Sequence, residues 1–155
     1  MKRISVKYLA GLIDGEGCID WQKGWRDNGT RLYIRPRLRI TLTKPGFDLL
    51  ENLHANFKGN IETRKRSLKN PNWMEARNWV VTGSRAVMVL NQVKNSLNIK
   101  KEQAKLAIAW ERYVKGERVS QETIDILVEE MKLMKKDPHR LSEKAMARVN
   151  ESLKR

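Results

Sequence analysis

From Arg31 to Leu42 the chain alternates almost residue by residue. Leu32, Ile34, Leu38, Ile40 and Leu42 fall on one side with Pro36, while Arg31, Tyr33, Arg35, Arg37, Arg39 and Thr41 fall on the other. A period of two over this length is a β-strand buried on one face only. Pro36 has no N–H to offer a neighbouring strand, which predicts a bulge or a curved edge region there. Four arginines on one sheet face repel each other. A phosphate-rich partner removes that repulsion; an ordinary charged sheet face is the alternative. Twelve such residues reach about 40 Å at ~3.3 Å each, which corresponds to about ten base pairs of duplex as an upper bound.

The flanking sequence supplies the rest of a sheet. Cys18 to Trp25 alternates Ile19, Trp21 and Trp25 with Cys18, Asp20 and Gln22, and Arg26-Asp27-Asn28-Gly29 reads as a hairpin turn. Pro45 fits the first turn of a helix carrying Phe47, Leu50, Leu53 and Phe57, which Gly59 closes. Asn60 to Arg66 reads as a strand with Ile61 and Thr63 opposed to Glu62, Arg64 and Arg66. Ser67 to Asn72 is a loop, Met74 to Thr82 a return strand, and Val87, Leu90, Val93 and Leu97 mark a helix. Two hairpins then pair into one four-stranded antiparallel sheet, with helices on its apolar face and the arginine face open. This is an α+β fold of order αββαββα. Helices follow over Lys100–Val114, from a cap at Ser120 through Met134, and after Asp137-Pro138. The expected organisation is one domain over 1–155, with a core over 1–115 and a helical extension over 116–155.

The helix that opens this order ends in Leu9-Ala10-Gly11-Leu12-Ile13-Asp14-Gly15-Glu16-Gly17. Leu9, Leu12 and Ile13 recur at the spacing of a buried stripe, and Gly17 is placed to end the helix in a left-handed conformation. Gly11 and Gly15 lie four apart and share a face without side chains, which suits a second helix backbone at close range. Glu16 sits at the C-terminal end, where the helix dipole disfavours a carboxylate. A bound cation or nearby lysines would offset this. From spacing alone, a glycine-containing buried helix followed by a solvated glutamate reads equally well. As a composed string the nine residues resemble the signature of the LAGLIDADG homing endonucleases, matching seven of nine letters, with Gly15 and Glu16 at the alanine and second aspartate positions. The string occurs once.

Charge and composition agree with a nucleic-acid partner. Lys and Arg number 32 against 18 Asp and Glu, a net charge of +14. That excess favours a polyanion. A single cysteine, Cys18, excludes an internal disulfide, and the two histidines, His54 and His139, are too far apart in sequence to suggest a metal cluster. No apolar run or leader pattern is present, so no membrane partner and an intracellular protein are expected.

The resemblance implies a LAGLIDADG endonuclease fold whose sheet forms a saddle over double-stranded DNA. It also implies a homodimer, because single-motif members pair two chains through the motif helix. Leu9, Gly11, Leu12 and Gly15 are then the expected interface. Glu16 would bind metal together with the Gly15 backbone, the cofactor being Mg²⁺, with Mn²⁺ or Ca²⁺ able to occupy the site. Asp14 resembles the motif aspartate that supports structure. Lys100, in Leu97-Asn98-Ile99-Lys100, resembles a family lysine that acts at the phosphate. The family often places a glutamine after its second strand and an arginine one turn later. Here those positions hold Lys44 and Asp48, so Lys44 joins Glu16 and Lys100 as a catalytic candidate while Asp48 cannot replace an arginine. Candidate DNA contacts on the polar strand faces are Asp20, Gln22, Tyr33, Arg35, Arg37, Arg39, Arg64 and Arg66. The function so implied is intron-encoded, metal-dependent cleavage of a long, near-palindromic site of about 20 base pairs, two half-sites at ~3.4 Å per pair. An intron-RNA-binding maturase and a noncatalytic DNA-binding protein are the alternatives.

Overall fold

The computed structural model describes residues 2–64, 75–114 and 119–154. Helix α1 (Val6–Glu16) starts at Ser5, whose Oγ accepts the Tyr8 N–H at 3.2 Å. It passes directly into strand β1 (Gly17–Arg26). Gly17 departs from the expected left-handed cap: it is extended, at φ −82° and ψ 154°. Glycine is required there for space instead, since a Cβ would lie 2.8 Å from the Ile13 carbonyl oxygen.

Strand β2 (Arg31–Thr43) runs antiparallel to β1 in continuous register from Gly17 opposite Ile40 to Arg26 opposite Arg31. Asp27, Asn28 and Gly29 turn the chain with positive φ. The expected bulge at Pro36 is absent. Strand β4 (Ala76–Thr82) pairs with β2 only as far as Arg37, so Pro36 is the first residue with no strand waiting on that side. The missing N–H therefore costs little. After a 3₁₀ turn at Lys44–Gly46 come helix α2 (Phe47–Phe57) and strand β3 (Asn60–Arg64), which pairs with β4. The four strands lie in the order β1-β2-β4-β3. The expected strand reaches Arg66; that residue, the Ser67–Asn72 loop, Trp73 and Gly116 lie outside the described residues.

Helices α3 (Gly83–Val93), α4 (Lys101–Val114), α5 (Gln121–Lys136) and α6 (Ser142–Leu153) complete the chain. The αββαββα order with further C-terminal helices is the expected α+β fold. The core lies between the apolar sheet face and the helices, where Ile13, Ile19, Leu38, Ile40, Trp79 and Leu90 are fully buried. Indole N–H groups bind this layer together. Trp79 donates to the Lys58 carbonyl at 2.7 Å, Trp110 to Ile34 at 3.1 Å, and Trp21 to Leu127 at 2.9 Å. The last bond ties β1 to α5, so the C-terminal extension is joined to the sheet. Trp25, by contrast, is 61% exposed.

Within the extension Glu130 is 0% exposed. It accepts from Arg140 Nε and Nη2 at 2.7 and 2.9 Å and from Arg148 Nη1 at 3.0 Å. The Arg140 hydrogen bonds, aided by those from Arg148, hold its carboxyl below the usual glutamate range against the opposing effect of burial. A depressed carboxyl stabilises the fold above its unfolded pKa and loses that contribution as pH falls through the folded value. Glu130→Gln is therefore expected to cost about 1–3 kcal/mol at neutral pH. Urea denaturation should show the gap between mutant and wild type closing as pH falls below the ordinary glutamate range. A gap that stays constant with pH would assign the loss to packing.

Candidate nucleic-acid interface

Paired residues of an antiparallel sheet share a face, so the register assembles the polar surface. Cys18 lies opposite Arg39, Asp20 opposite Arg37, Gln22 opposite Arg35, and Gly24 opposite Tyr33. Arg37, Arg39 and Thr41 face Thr82, Val80 and Asn78 of β4, and Asn60, Glu62 and Arg64 of β3 extend the same face. Seven of the eight expected DNA contacts thus fall on one surface, with Arg64 placed by its backbone. Arg66, the eighth, lies outside the described residues.

The arginines are organised by one carboxylate. Asp20 Oδ1 and Oδ2 accept from Arg37 Nε and Nη2, both at 2.8 Å, and Arg39 Nη2 is 3.8 Å from Oδ2. Donating these hydrogen bonds to Asp20 raises the Arg37 pKa above its ordinary value. Asp20 was expected as a base contact; in the free protein both its oxygens are engaged, and it aims two guanidinium groups outward. Tyr33 lies under Arg26, with the guanidinium carbon 4.7 Å from the ring centroid. Arg35 presses on Gly83, whose φ of +60° and lack of a Cβ let the guanidinium lie against the start of α3. Gln22, Arg35, Arg37, Arg39, Ser84 and Arg85 line much of an open groove of about 560 Å³.

A second cluster forms at the junction of α1 and β1. The Asp14 carboxylate accepts three backbone N–H groups, from Asn98 at 2.8 Å, Ile99 at 3.2 Å and Lys100 at 3.0 Å, and so fixes the turn that leads into α4. Lys100 Nζ donates to the Ile13 carbonyl at 2.9 Å and to the Gly17 carbonyl, satisfying the C-terminal end of α1. Burial lowers the Lys100 pKa from the ordinary lysine value; the charge of Lys135 acts the same way, against Cys18, Asp14 and Glu16. Glu16 is exposed beside this junction. The structure thus brings Glu16 and Lys100 together. Lys44 is exposed at the same end of the sheet, four residues past the partner of Gly17, and makes no hydrogen bond or ion pair among the described residues. Asp48 is exposed on α2.

The outer face of α1 has no partner within the protomer. Tyr8 is 55% exposed, Leu12 is half-buried, and a Cβ at Gly11 or Gly15 would meet nothing within 4 Å. Leu9, expected on this face, is only 1% exposed and belongs to the protomer's own core. Its helical position points it toward the sheet while Tyr8, Gly11, Leu12 and Gly15 point away. Sequence reading missed Lys135, whose Nζ donates to Cys18 Sγ at 3.4 Å from 117 positions away. The Asp20–Arg37 pair was also missed, although counting back from the Asp27–Gly29 turn would have placed them opposite each other.

One carboxylate and one backbone carbonyl per protomer do not enclose a metal, and among the described residues no group of three or more His, Cys, Asp or Glu could hold one. Mg²⁺, however, is commonly held by one or two carboxylates with water and substrate phosphate. Two copies of Glu16 beside a duplex fit that donor set.

Residues 9–78 match the family model described as LAGLIDADG endonuclease. The homing endonuclease I-CvuI, solved with the I-CreI target DNA in the presence of Mg, aligns over 94% of this chain and 94% of its own at 18% identity and a TM-score of 0.64. The homing endonuclease I-TnaI aligns over 96% and 99% at 18% identity and 0.58. I-GzeII, solved with its DNA target, aligns over 90% of this chain and 50% of its own at 18% identity and 0.57. At these identities the likeness is one of fold. No curated protein sequence matches.

The Asp14 anchor is open to direct measurement. Asp14→Ala is expected to lower stability by about 1–3 kcal/mol and to speed hydrogen exchange at the amides of Asn98, Ile99 and Lys100 selectively. Unchanged exchange there would refute the anchoring role.

Proposed function

We propose that this chain, whose residues 9–78 match the LAGLIDADG endonuclease family model and which carries the fold of solved homing endonucleases, is a site-specific, metal-dependent DNA endonuclease acting as a homodimer. The observation that carries the reading is the exposed Glu16 carboxylate, set between an open glycine face and the Lys100 ammonium at one end of an arginine-bearing sheet.

The sheet face binds duplex. A two-stranded ribbon fits the major groove, and Arg35, Arg37 and Arg39 supply charge for phosphates and paired donors for guanine. Gln22 supplies an adenine-reading amide at the same level. Phosphate contacts set the register, and base contacts specify the sequence.

The glycine face binds a second copy. Tyr8, Gly11, Leu12 and Gly15 let two α1 helices approach closely, which brings the two Glu16 carboxylates to a shared centre. Glu16 and the Gly15 carbonyl would hold Mg²⁺ there; bound, it stabilises charge developing on the phosphate and lowers the pKa of a water nucleophile. Lys100 holds a positive charge beside the phosphate, its position set by the carbonyls of Ile13 and Gly17. Lys44 can approach the backbone as a point charge. Two-fold symmetry gives two equivalent cuts, one per strand, and a near-palindromic target.

Cleavage of a randomised duplex library, with the ends sequenced, tests the reading. The expected result is staggered cuts at a discrete site, abolished by EDTA and reduced at least about 100-fold by Glu16→Gln while DNA binding persists. Sequence-specific binding without cuts would instead support a DNA-binding protein, and selective retention of structured RNA a maturase. Gly11→Glu is expected to leave the protomer's stability unchanged, because its side chain meets open space, and to convert a dimer to monomers in sedimentation velocity. A wild type that sediments as a monomer would refute the shared site.

A further inference from the structure

We infer that Lys135, on the C-terminal extension, is a phosphate-binding residue of the DNA surface at its Glu16 end. This rests on the nuclease reading above for the identity of the polyanion, and on separate geometry for the residue. Cys18 is the second residue after Glu16 and lies on the polar sheet face, opposite Arg39. Lys135 is in the last turn of α5, and its Nζ reaches Cys18 Sγ at 3.4 Å. The ammonium therefore stands on the arginine side of β1, beside the junction where Lys100 enters.

Its placement is enforced from below. The Trp21 indole donates to the Leu127 carbonyl, and Leu127, Met131 and Met134 are buried, so the inner face of α5 is anchored to the protein. Lys135 follows Met134 directly and is exposed. A thiol sulfur is a weak acceptor and does not satisfy a strongly hydrated ammonium with three donors. Among the described residues no carboxylate lies within ion-pair distance of Lys135. Two lysines, Lys100 and Lys135, thus converge on β1's first residues from different helices, close enough that the charge of Lys135 affects that of Lys100. Like charges gathered beside Arg39 gain most from a shared anion. A backbone phosphate next to the bond served by Glu16 has the required charge and is contacted by an extended surface of the same sign. The end of α5 is then part of the DNA-binding machinery.

The test measures duplex binding as a function of salt for wild type, Lys135→Gln, Lys135→Arg and Lys144→Gln, an equal charge change on α6. The probe is the duplex recovered by the cleavage selection or, if nothing is cut, the best-bound duplex from the same library. The expected result is weaker binding for Lys135→Gln, with the slope of log K against log salt reduced by about 0.9 per protomer, while Lys135→Arg and Lys144→Gln keep the wild-type slope. Cys18, the only thiol, should also be protected from alkylation by bound duplex in wild type.

A Lys135→Gln slope equal to that of Lys144→Gln, or a Cys18 as reactive in the complex as in the free protein, would overturn this inference while leaving cleavage intact. Binding without cleavage would sink the nuclease reading yet leave the slope to judge Lys135. A wild type that binds no duplex would remove both.

Discussion

The carboxylate of Asp14 holds the site together. It accepts three consecutive backbone N–H groups from the turn before α4, and Lys100 returns a bond from that turn to the carbonyls at the end of α1. The end of α1, with its unsatisfied carbonyls, and the turn into α4 thus hold one another. The joint places Lys100 beside Glu16, although 84 positions separate them (100 − 16). A second carboxylate acts similarly, where Glu102 of α4 accepts the Ser142 N–H at 2.9 Å at the first residue of α6. Carboxylates on α1 and α4 therefore fix segments distant in sequence, from the motif into the extension.

A second constraint governs the sheet. Arginines at every other position of β2 would push one another apart, and Asp20 relieves this by engaging Arg37 in a bidentate pair with Arg39 nearby. The pair is bidentate and only partly exposed, 30% at Arg37 and 21% at Asp20, a geometry that fixes the orientation of both groups. Its value is that guanidinium groups are aimed before any phosphate arrives, which reduces the ordering cost of binding. Arg35 is directed differently, by the absence of a side chain at Gly83. One face thus carries two local devices that fix where its guanidinium groups lie.

Much of this was legible along the chain because its determinants are local. Alternation over Arg31–Leu42 identified β2 and its arginine face, and the turn at Asp27–Gly29 identified the hairpin. Ser120 announced a helix start, and its side chain accepts the cap bond from Thr123 N–H. Errors arose where a residue's meaning depended on a neighbour from another element. Gly17 was required by the Ile13 carbonyl rather than by a left-handed backbone. Leu9 was assigned to the outer face of α1, but the sheet and helices beneath claim it for the core.

The amino-acid sequence by itself determined the order of elements, the charge of the open sheet face and the glycine-bearing helix that ends in Glu16. These follow from periods of 2 and 3.6, from turn chemistry and from net charge, all of which act between near neighbours. Only the tertiary structure decided that Asp14 fixes the turn into α4, that Lys100 and Lys135 converge on the first residues of β1, and that Asp20 orients Arg37. Those relations depend on strand register and on how α4 and α5 settle against the sheet. Buried groups such as Trp21 and Glu130 fix that settling through partners distant in sequence.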